Sequence, residues 1–489
     1  MSNIAFRDSS VVIIETGCTA IRAIRGLAEL IERPTVEVEA RVGLRRTNEE
    51  NGFGNGQSST SKAHSQPKVN DYLVGRQLDE ALAAGMDVVV SWPFEDGGIK
   101  DYVAAEALWK YVLFNQLGLK RTQNESPAIL TFPHGLSRDT YERICQIFFE
   151  RFNMAALSIL ERPLSQLYAA NSLNGIVIDI GHHRTDVVPI YECAVQHNCS
   201  DHTPIGLADC EAYLASLLRN NEQLVSTLSP PEAPLTDEEL QTQLLALVRQ
   251  IWHEGHVKLG EAEVASEEEG VTNIAAVLVA GKEKAVIESN QKKRATQKAS
   301  AAEQARAREI EALDLITIDF RDKQVTVGRE RHRLLDPLFD PTRLRGVNGS
   351  DGKTWRGGDL IPLQDICGYA VAKADLDARV SIWEGLFVTG DCASLVKGIG
   401  HALQTRLEHF ILGNPDHQND AQPKQIRVLH VPEYFANYRE KGDGLAAFLG
   451  ASIVAKIIFS DPNSKNFVSK GDYGSKGPKA IIEMSASLL

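Results

Sequence analysis

Residues Ile176–Glu192 read IVIDIGHHRTDVVPIYE. An apolar, β-branched run ends at Asp179 and Gly181, and a second apolar run, Val187 to Ile190, follows. The pattern predicts a strand, a tight turn and a second strand. Gly181 supplies the turn, and His182 and His183 stand at its tip.

Working outward, Pro127–Thr131 (PAILT) predicts a buried strand, and Ser137 an N-cap for a helix with Tyr141, Ile144, Ile147 and Phe148 at helical spacing. Pro163 suits the first turn of a helix over Leu164–Ala170. Asp101–Leu117 predicts another helix. Near the start, Val11–Ile14 and Ile21–Ile24 flank a Gly turn, and Leu27–Val42 alternates in part, so an opening meander is expected. Downstream, helices are expected over Gly206–Leu218, Asp237–Trp252, Asp365–Ala374, Val396–Phe410 and Phe448–Phe459. Leu315–Val327 predicts two strands, and Gly385–Thr389 a strand ending in a turn at Gly390. Strands mixed with helices in this order predict an α/β fold with two related halves.

The chain has 489 residues, enough for two or more domains. A net charge of −13 disfavours direct nucleic-acid binding, which rests on clustered Lys and Arg. No apolar run reaches the roughly 18 residues that span a bilayer, so no membrane segment is expected. The start, MSNIAFRDSS, lacks the basic and apolar regions of a signal peptide. The seven scattered cysteines are read as reduced thiols. Arg45–Val69 is a polar Asn/Gly/Ser-rich loop, Lys282–Ala312 a charged insertion, and Thr342–Asp359 a Gly-rich loop. QKKR at Gln291–Arg294 is read as a solvated face ahead of a nuclear import signal.

Several motifs in order resemble actin and the actin-related proteins. They are SWPFEDGGIKDY (Ser91–Tyr102), ILTFPHGLSRDTYERICQIFFERFN (Ile129–Asn153), VTVGRERHRLLDPLF (Val325–Phe339), VPEYFANY (Val431–Tyr438), FLGASIVA (Phe448–Ala455) and FVSKGDYGSKGP (Phe467–Pro478). The resemblance runs almost end to end, apart from Arg45–Val69, about Arg219–Ala312 and Thr342–Asp359. It implies the actin-like fold shared with Hsp70 and hexokinase, two α/β halves around a central cleft. The halves are expected at 1–174 and 175–430, with 431–489 returning to the first. The altered IDIGHH turn, the charged insertion and the PEYF…FLGA ending resemble the fungal actin-related protein 9 branch. That branch implies a nuclear, non-catalytic subunit of SWI/SNF and RSC chromatin remodellers. It implies pairing with an actin-related protein 7-like subunit on the helicase-SANT-associated helix of a Snf2-type ATPase.

The resemblance also assigns a nucleotide site. Phosphate binding in this fold uses two Gly turns whose backbone N–H groups face the anion. In the first, IIETGCTAIR, Glu15 replaces the Asp that orders the metal-bound water, and Thr19 replaces a Gly. Gly17 and Cys18 remain compatible, and Arg22 takes the place of a phosphate-contacting Lys. In the second, Asp179 and Gly181 are kept, but His182 replaces an Asp and His183 a Gly. Imidazole is a poor substitute for the hard oxygen that Mg²⁺ prefers. Arg162 and Asp186 occupy the positions of the Gln and His that place the attacking water. The third turn reads Gly390-Asp391 where a Gly pair is usual. No ATP hydrolysis is therefore expected. Residual ATP binding stays open, because the turns persist and Arg22 and Arg184 attract phosphate.

No metal site is expected. His182 and His183 are turn residues without ligands at a suitable spacing, HNCSDH (His197–His202) is a surface loop, and WHEGH (Trp252–His256) lacks the two-residue gap of a zincin. For partner binding, Tyr168, Ile453, Val454, Ile457 and Phe459 are read either as helix cores or as an apolar groove for an amphipathic helix; the resemblance favours the groove. The loop at Arg45–Val69 has no apolar plug, so actin-like filaments are not expected. Two rival readings stand: an actin-like ATPase with an unconventional site, and a nuclear actin-related protein of a different remodeller.

Overall fold

Three strands lie side by side and parallel at the centre of the first half of the molecule: Val12–Thr16, Pro127–Phe132 and Ala156–Glu161. Every residue in them is buried. That is why they read as unbroken apolar runs rather than as alternating ones. The full sheet runs Val468–Ser469, Ala156–Glu161, Pro127–Phe132, Val12–Thr16, Ala20–Arg25, Val36–Glu39. The computed structural model describes residues 6–46, 67–95, 97–259, 314–347, 360–411, 425–439, 441–461 and 464–485. The charged stretch Lys282–Ala312 with its QKKR cluster lies outside the described residues. So do 47–66 of the polar loop and the Gly-rich loop beyond Val347.

The chain divides into two compact units. The first comprises Met1–Val177, Val188–Cys199 and Leu429–Leu489, the second Ile178–Val187 and Ser200–Val428. In the first unit, the helices Tyr102–Lys110 and Arg138–Gln146 bury Trp109, Tyr141 and Ile144 in a core shared with the sheet. Trp109 meets Phe132 and Phe148 edge-on, and its indole N–H donates to Thr16 Oγ1 at 3.2 Å. The caps are those the sequence predicts: Asp101 accepts from the Val103 and Ala104 amides, and Ser137 Oγ from the Thr140 amide. Helices Arg162–Ala169 and Ala446–Ser460 pack together and on the strands.

In the second unit, Leu207–Arg219 packs on Asp237–His253 and on the helix Asp336–Phe339. The hairpin Ile316–Phe320/Lys323–Val327 and helices Leu363–Ala372 and Ile399–Ile411 complete it. A five-stranded sheet contains Gly175–Ile180, Thr185–Tyr191 and Leu386–Thr389, with two short strands. The predicted strand–turn–strand at Ile176–Glu192 is present, as Gly175–Ile180 and Thr185–Tyr191.

Two expectations shift. Leu27–Val42 yields only the short strand Val36–Glu39 and the start of Val42–Arg45, because Pro34 has no N–H to give a ladder. The helix expected over Asp101–Leu117 is regular only to Lys110, then widens into a π-helical turn at Tyr111–Gln116.

Candidate functional site

The first unit carries one Gly turn. Val12–Thr16 pairs antiparallel with Ala20–Arg25, which puts Glu15 opposite Arg22. Gly17 N–H donates to the Ala20 carbonyl at 2.9 Å, and a Cβ at position 17 would lie 2.8 Å from that oxygen. Close approach, not φ, requires Gly here. Arg22 does not project freely from the turn. Its Nη1 lies 3.4 Å from Glu15 Oε1 and its Nε 3.0 Å from Glu37 Oε1. Glu15 is buried, so this pairing offsets the desolvation of its charge. Arg162, at the start of its helix, donates from Nη2 to the Thr16 carbonyl at 2.6 Å. Its guanidinium lies 3.7 Å from where a Gly17 Cβ would stand. Thr19 gives its carbonyl to the Ala40 amide, and Cys18 packs partly against the core.

Two neighbouring residues escaped the sequence reading. Thr131 stands level with Glu15 on the adjacent strand, and its buried hydroxyl has no hydrogen-bond partner among the described residues. Glu161 precedes Arg162 and is 2 % exposed. It accepts from the Gly135 amide and the Tyr141 hydroxyl, with His197 Nε2 3.5 Å away. Burial raises its pKa, against the opposing influence of His197. The only cue in the sequence is a charged pair, Glu161-Arg162, closing an apolar run.

The second unit carries the other turn. Gly181 N–H donates to the Arg184 carbonyl at 2.9 Å, and a Cβ at 181 would lie 2.8 Å from it. Behind this turn sits the N-terminus of helix Leu207–Arg219. Leu207 N–H donates to the Gly181 carbonyl and Ala208 N–H to that of His182, each at 2.9 Å. Gly206 lets them approach: a Cβ there would lie 2.4 Å from the His182 oxygen. Gly390, at φ +111°, packs on the Ile180 carbonyl, where a Cβ would come within 2.3 Å.

Side chains of this second turn are internally engaged. Arg184 grips Asp186 with Nη2 2.6 Å from Oδ1 and Nε 3.2 Å from Oδ2. Burial, then His183, lowers the pKa of His182, while Glu211 and Asp391 push the other way. His182 is thus held neutral near pH 7. Glu211, 2 % exposed, accepts from Arg249 Nε at 2.9 Å and Trp252 Nε1 at 3.0 Å. Burial, then Asp391, raises the pKa of the Cys392 thiol, and Asp179 and Glu211 add to it. Among the described residues no group of three or more His, Cys, Asp or Glu is arranged to hold a metal ion.

The partner residues separate into two sets. Gly450 brings helix Ala446–Ser460 onto helix Arg162–Ala169 so closely that a Cβ would lie 1.8 Å from the Ser165 carbonyl. Ser165 Oγ–H donates to the Ala447 carbonyl at 2.6 Å. On the outer side Ile453 and Val454 are half-buried and Ile457 is 65 % exposed. Tyr168 is half-buried, and burial, with a smaller push from Cys193, raises the pKa of its hydroxyl. Phe459 is a correction: it is 1 % exposed and packs against Phe6 and Phe467, so it is core rather than groove. Leu30 and Leu173 are exposed apolar residues that the sequence reading omitted. Lys456 Nζ reaches the Ala28 and Glu29 carbonyls and so holds the Leu30 loop against the same helix. The continuous helical stretch Asp443–Ser460 is long and apolar enough to cross a membrane by length and composition, contrary to the apolar-run count. More than half of it is buried, which identifies it as a core helix.

A family model described as Actin matches residues 7–485. The SWI/SNF and RSC complexes subunit arp9 of Schizosaccharomyces pombe is 25 % identical over 98 % of this chain and 99 % of its own length. Actin-related protein 2 of Saccharomyces cerevisiae is 29 % identical over 31 % of this chain and 37 % of its own. Actin-related protein 7 of Arabidopsis thaliana is 35 % identical over 23 % and 31 % respectively. With the mixed α/β units and the paired Gly turns already in view, the near-complete match establishes that this chain belongs to the actin family.

Proposed function

We propose that this chain is a non-catalytic, nuclear actin-family subunit of a SWI/SNF- or RSC-type chromatin-remodelling complex. The full-length similarity to a subunit of such complexes supports the assembly. One observation carries the non-catalytic reading: at each turn the charged side chains pair among themselves, within that turn's own unit. Arg22 sits between Glu15 and Glu37, and Arg184 on Asp186. These residues do not suit a magnesium nucleotide. Glu15 is taken up by a cation, and His182 offers a nitrogen in place of a hard oxygen.

In this reading the subunit grips a long amphipathic helix of the remodeller ATPase, its helicase-SANT-associated helix, through Tyr168, Ile453, Val454 and Ile457. An actin-related protein 7-like subunit sits beside it, and neither forms actin-like filaments. The grip stiffens or re-orients the helix, as helix-in-groove contacts do. The divisions are retained as two functional halves, 1–174 with 431–489 and 175–430.

A second reading is an actin-like ATP-binding protein. The intact backbone geometry at Gly17 and Gly181 and the unpartnered Thr131 hydroxyl favour it. Titration with ATP and Mg²⁺, followed by thermal shift and phosphate release, separates the two. Neither signal is the expected result, a shift without release marks a structural nucleotide, and release above background overturns the proposal. Ile457→Asp is expected to abolish capture of the remodeller helix while leaving the melting temperature unchanged.

A further inference from the structure

The strand Val88–Ser91 closes one side of a three-stranded sheet in the first unit. The order is Tyr72–Val74, Val42–Arg45, Val88–Ser91, so among the described residues this strand has a neighbour on one side only. It pairs antiparallel with Val42–Arg45, with Leu44 opposite Val89 and Val42 opposite Ser91. Arg46 N–H donates to the Asp87 carbonyl at 3.1 Å. In an antiparallel ladder every second residue bonds to the neighbouring strand. Asp87, Val89 and Ser91 therefore turn their N–H and C=O groups to the central strand, and Val88 and Val90 turn theirs to the open side.

The side chains at this edge are apolar on both faces. A Cβ at Gly43 would lie 2.4 Å from Leu78 Cδ1 and 2.6 Å from Val88 Cγ1. That puts Val88, and with it Val90, on the face covered by helix Arg76–Ala83. Val89 is on the opposite face and is 43 % exposed. Trp92, just past the strand, is 45 % exposed, and Leu82 and Met86 are exposed shortly before it in the chain. Another edge strand of this unit is defended: Val36–Glu39, last in the six-stranded sheet, holds out Glu37 and Glu39. Charge on an edge deters added strands, and Val88–Ser91 carries none.

We propose that Val88–Ser91 accepts an extended segment of another subunit as a fourth strand of this sheet. The segment comes from a fellow subunit, so this rests on the reading above that the chain belongs to a remodelling assembly. A strand is the chemistry that fits. Val88 and Val90 offer donors and acceptors at strand spacing, and a helix has none to return because its backbone bonds are internal. With no charge at the edge and Val89 and Trp92 beside it, the matching segment is uncharged and apolar at alternate positions. The competing explanation is a short edge that simply faces water.

Amide exchange in the full chain, alone and within the purified SWI/SNF- or RSC-type complex, tests it. Alone, Val88 and Val90 are expected to exchange fast, and Val89 and Ser91 slowly. In the complex, Val88 and Val90 are expected to slow at least about tenfold. Unchanged exchange in a complex that contains the chain overturns the added strand and leaves the assembly standing; absence of the chain from such complexes overturns both. Slow exchange of Val88 and Val90 in the isolated chain means that a segment of its own or a second copy covers the edge, and overturns it as well. Val90→Pro removes an outward N–H that the central strand does not use. Its melting temperature is expected to stay within about 2 °C, and Val88 in its complex to exchange as fast as in the isolated chain. Protection retained at Val88 overturns the proposal. If Val90→Pro does not fold, Val89→Lys puts a charge on the edge and is read in the same way.

Discussion

The two Gly turns share a backbone and differ in everything attached to it. Gly17 bonds the Ala20 carbonyl and Gly181 the Arg184 carbonyl, at the same 2.9 Å, and each leaves the same 2.8 Å for a Cβ. Around the first, side-chain contacts carry the load: an ion pair from Arg22 to Glu37 across the ladder, and a hydrogen bond from Arg162 to the Thr16 carbonyl. Around the second, backbone does so: the N–H groups of Leu207 and Ala208 behind the turn, and the close pass of Gly390. Backbone geometry outlasts a change of side-chain chemistry, because its hydrogen bonds do not depend on which side chains are present.

The largest effect that would sharpen this contrast is at the buttress of the second turn. Gly206→Ala puts a methyl 2.4–2.6 Å from three backbone atoms, and is expected to cost more than about 3 kcal/mol by denaturant unfolding. A cost near zero would mean that the turn does not lean on that helix. Next comes Arg22→Leu, which strips a cation from buried Glu15. About 2 kcal/mol is expected, discounted because Glu37 is exposed. Arg184→Leu, at a wetter pair, should cost about half as much. Reversed magnitudes would break the claim that the first turn is the one held by charge.

Gly17→Ala and Gly181→Ala form a matched pair. Each is expected to cost about 1–2 kcal/mol, the two agreeing within about 0.5, since the clashes are equal. The smallest effect is a pH slope confined to the second turn. Burial lowers the pKa of His182, so the folded state favours neutral imidazole. Its share of stability is full above the ordinary value of 6.5 and is lost as pH falls below that towards the folded value. Comparing melting at about pH 7.5 and about pH 5, wild type should lose stability that His182→Phe does not. His332, lowered by burial, contributes with the same sign in both proteins and cancels from the difference.

Much of the fold was legible because its cues are local. Asp101 and Ser137 cap the helices assigned to them, and unbroken apolar runs mark the strands that are covered on both faces. The turn glycines, too, were visible at Gly17, Gly181 and Gly390. What each charged side chain does at the turns was not. Arg22 reads as a phosphate ligand until Glu37, far from it in the chain, is seen beside it. Arg162 and Thr16 are further apart still. Phe459 was legible and missed: two residues on from Ile457 it lies about 200° round the helix, and its contacts with Phe6 and Phe467 place it inside. Pairings made by tertiary approach leave no periodic mark.

The contact of Gly450 on the Ser165 carbonyl leaves no slack between two helices. One of them displays Ile457, and the other begins at Arg162, whose guanidinium is bonded beneath the first turn. A load applied at Ile457 is thus delivered to the Thr16 carbonyl through a train without play, like a rod seated directly on its bearing. Anything that alters that turn will be felt at the helix face, and a partner on the face will set how stiffly the turn is held.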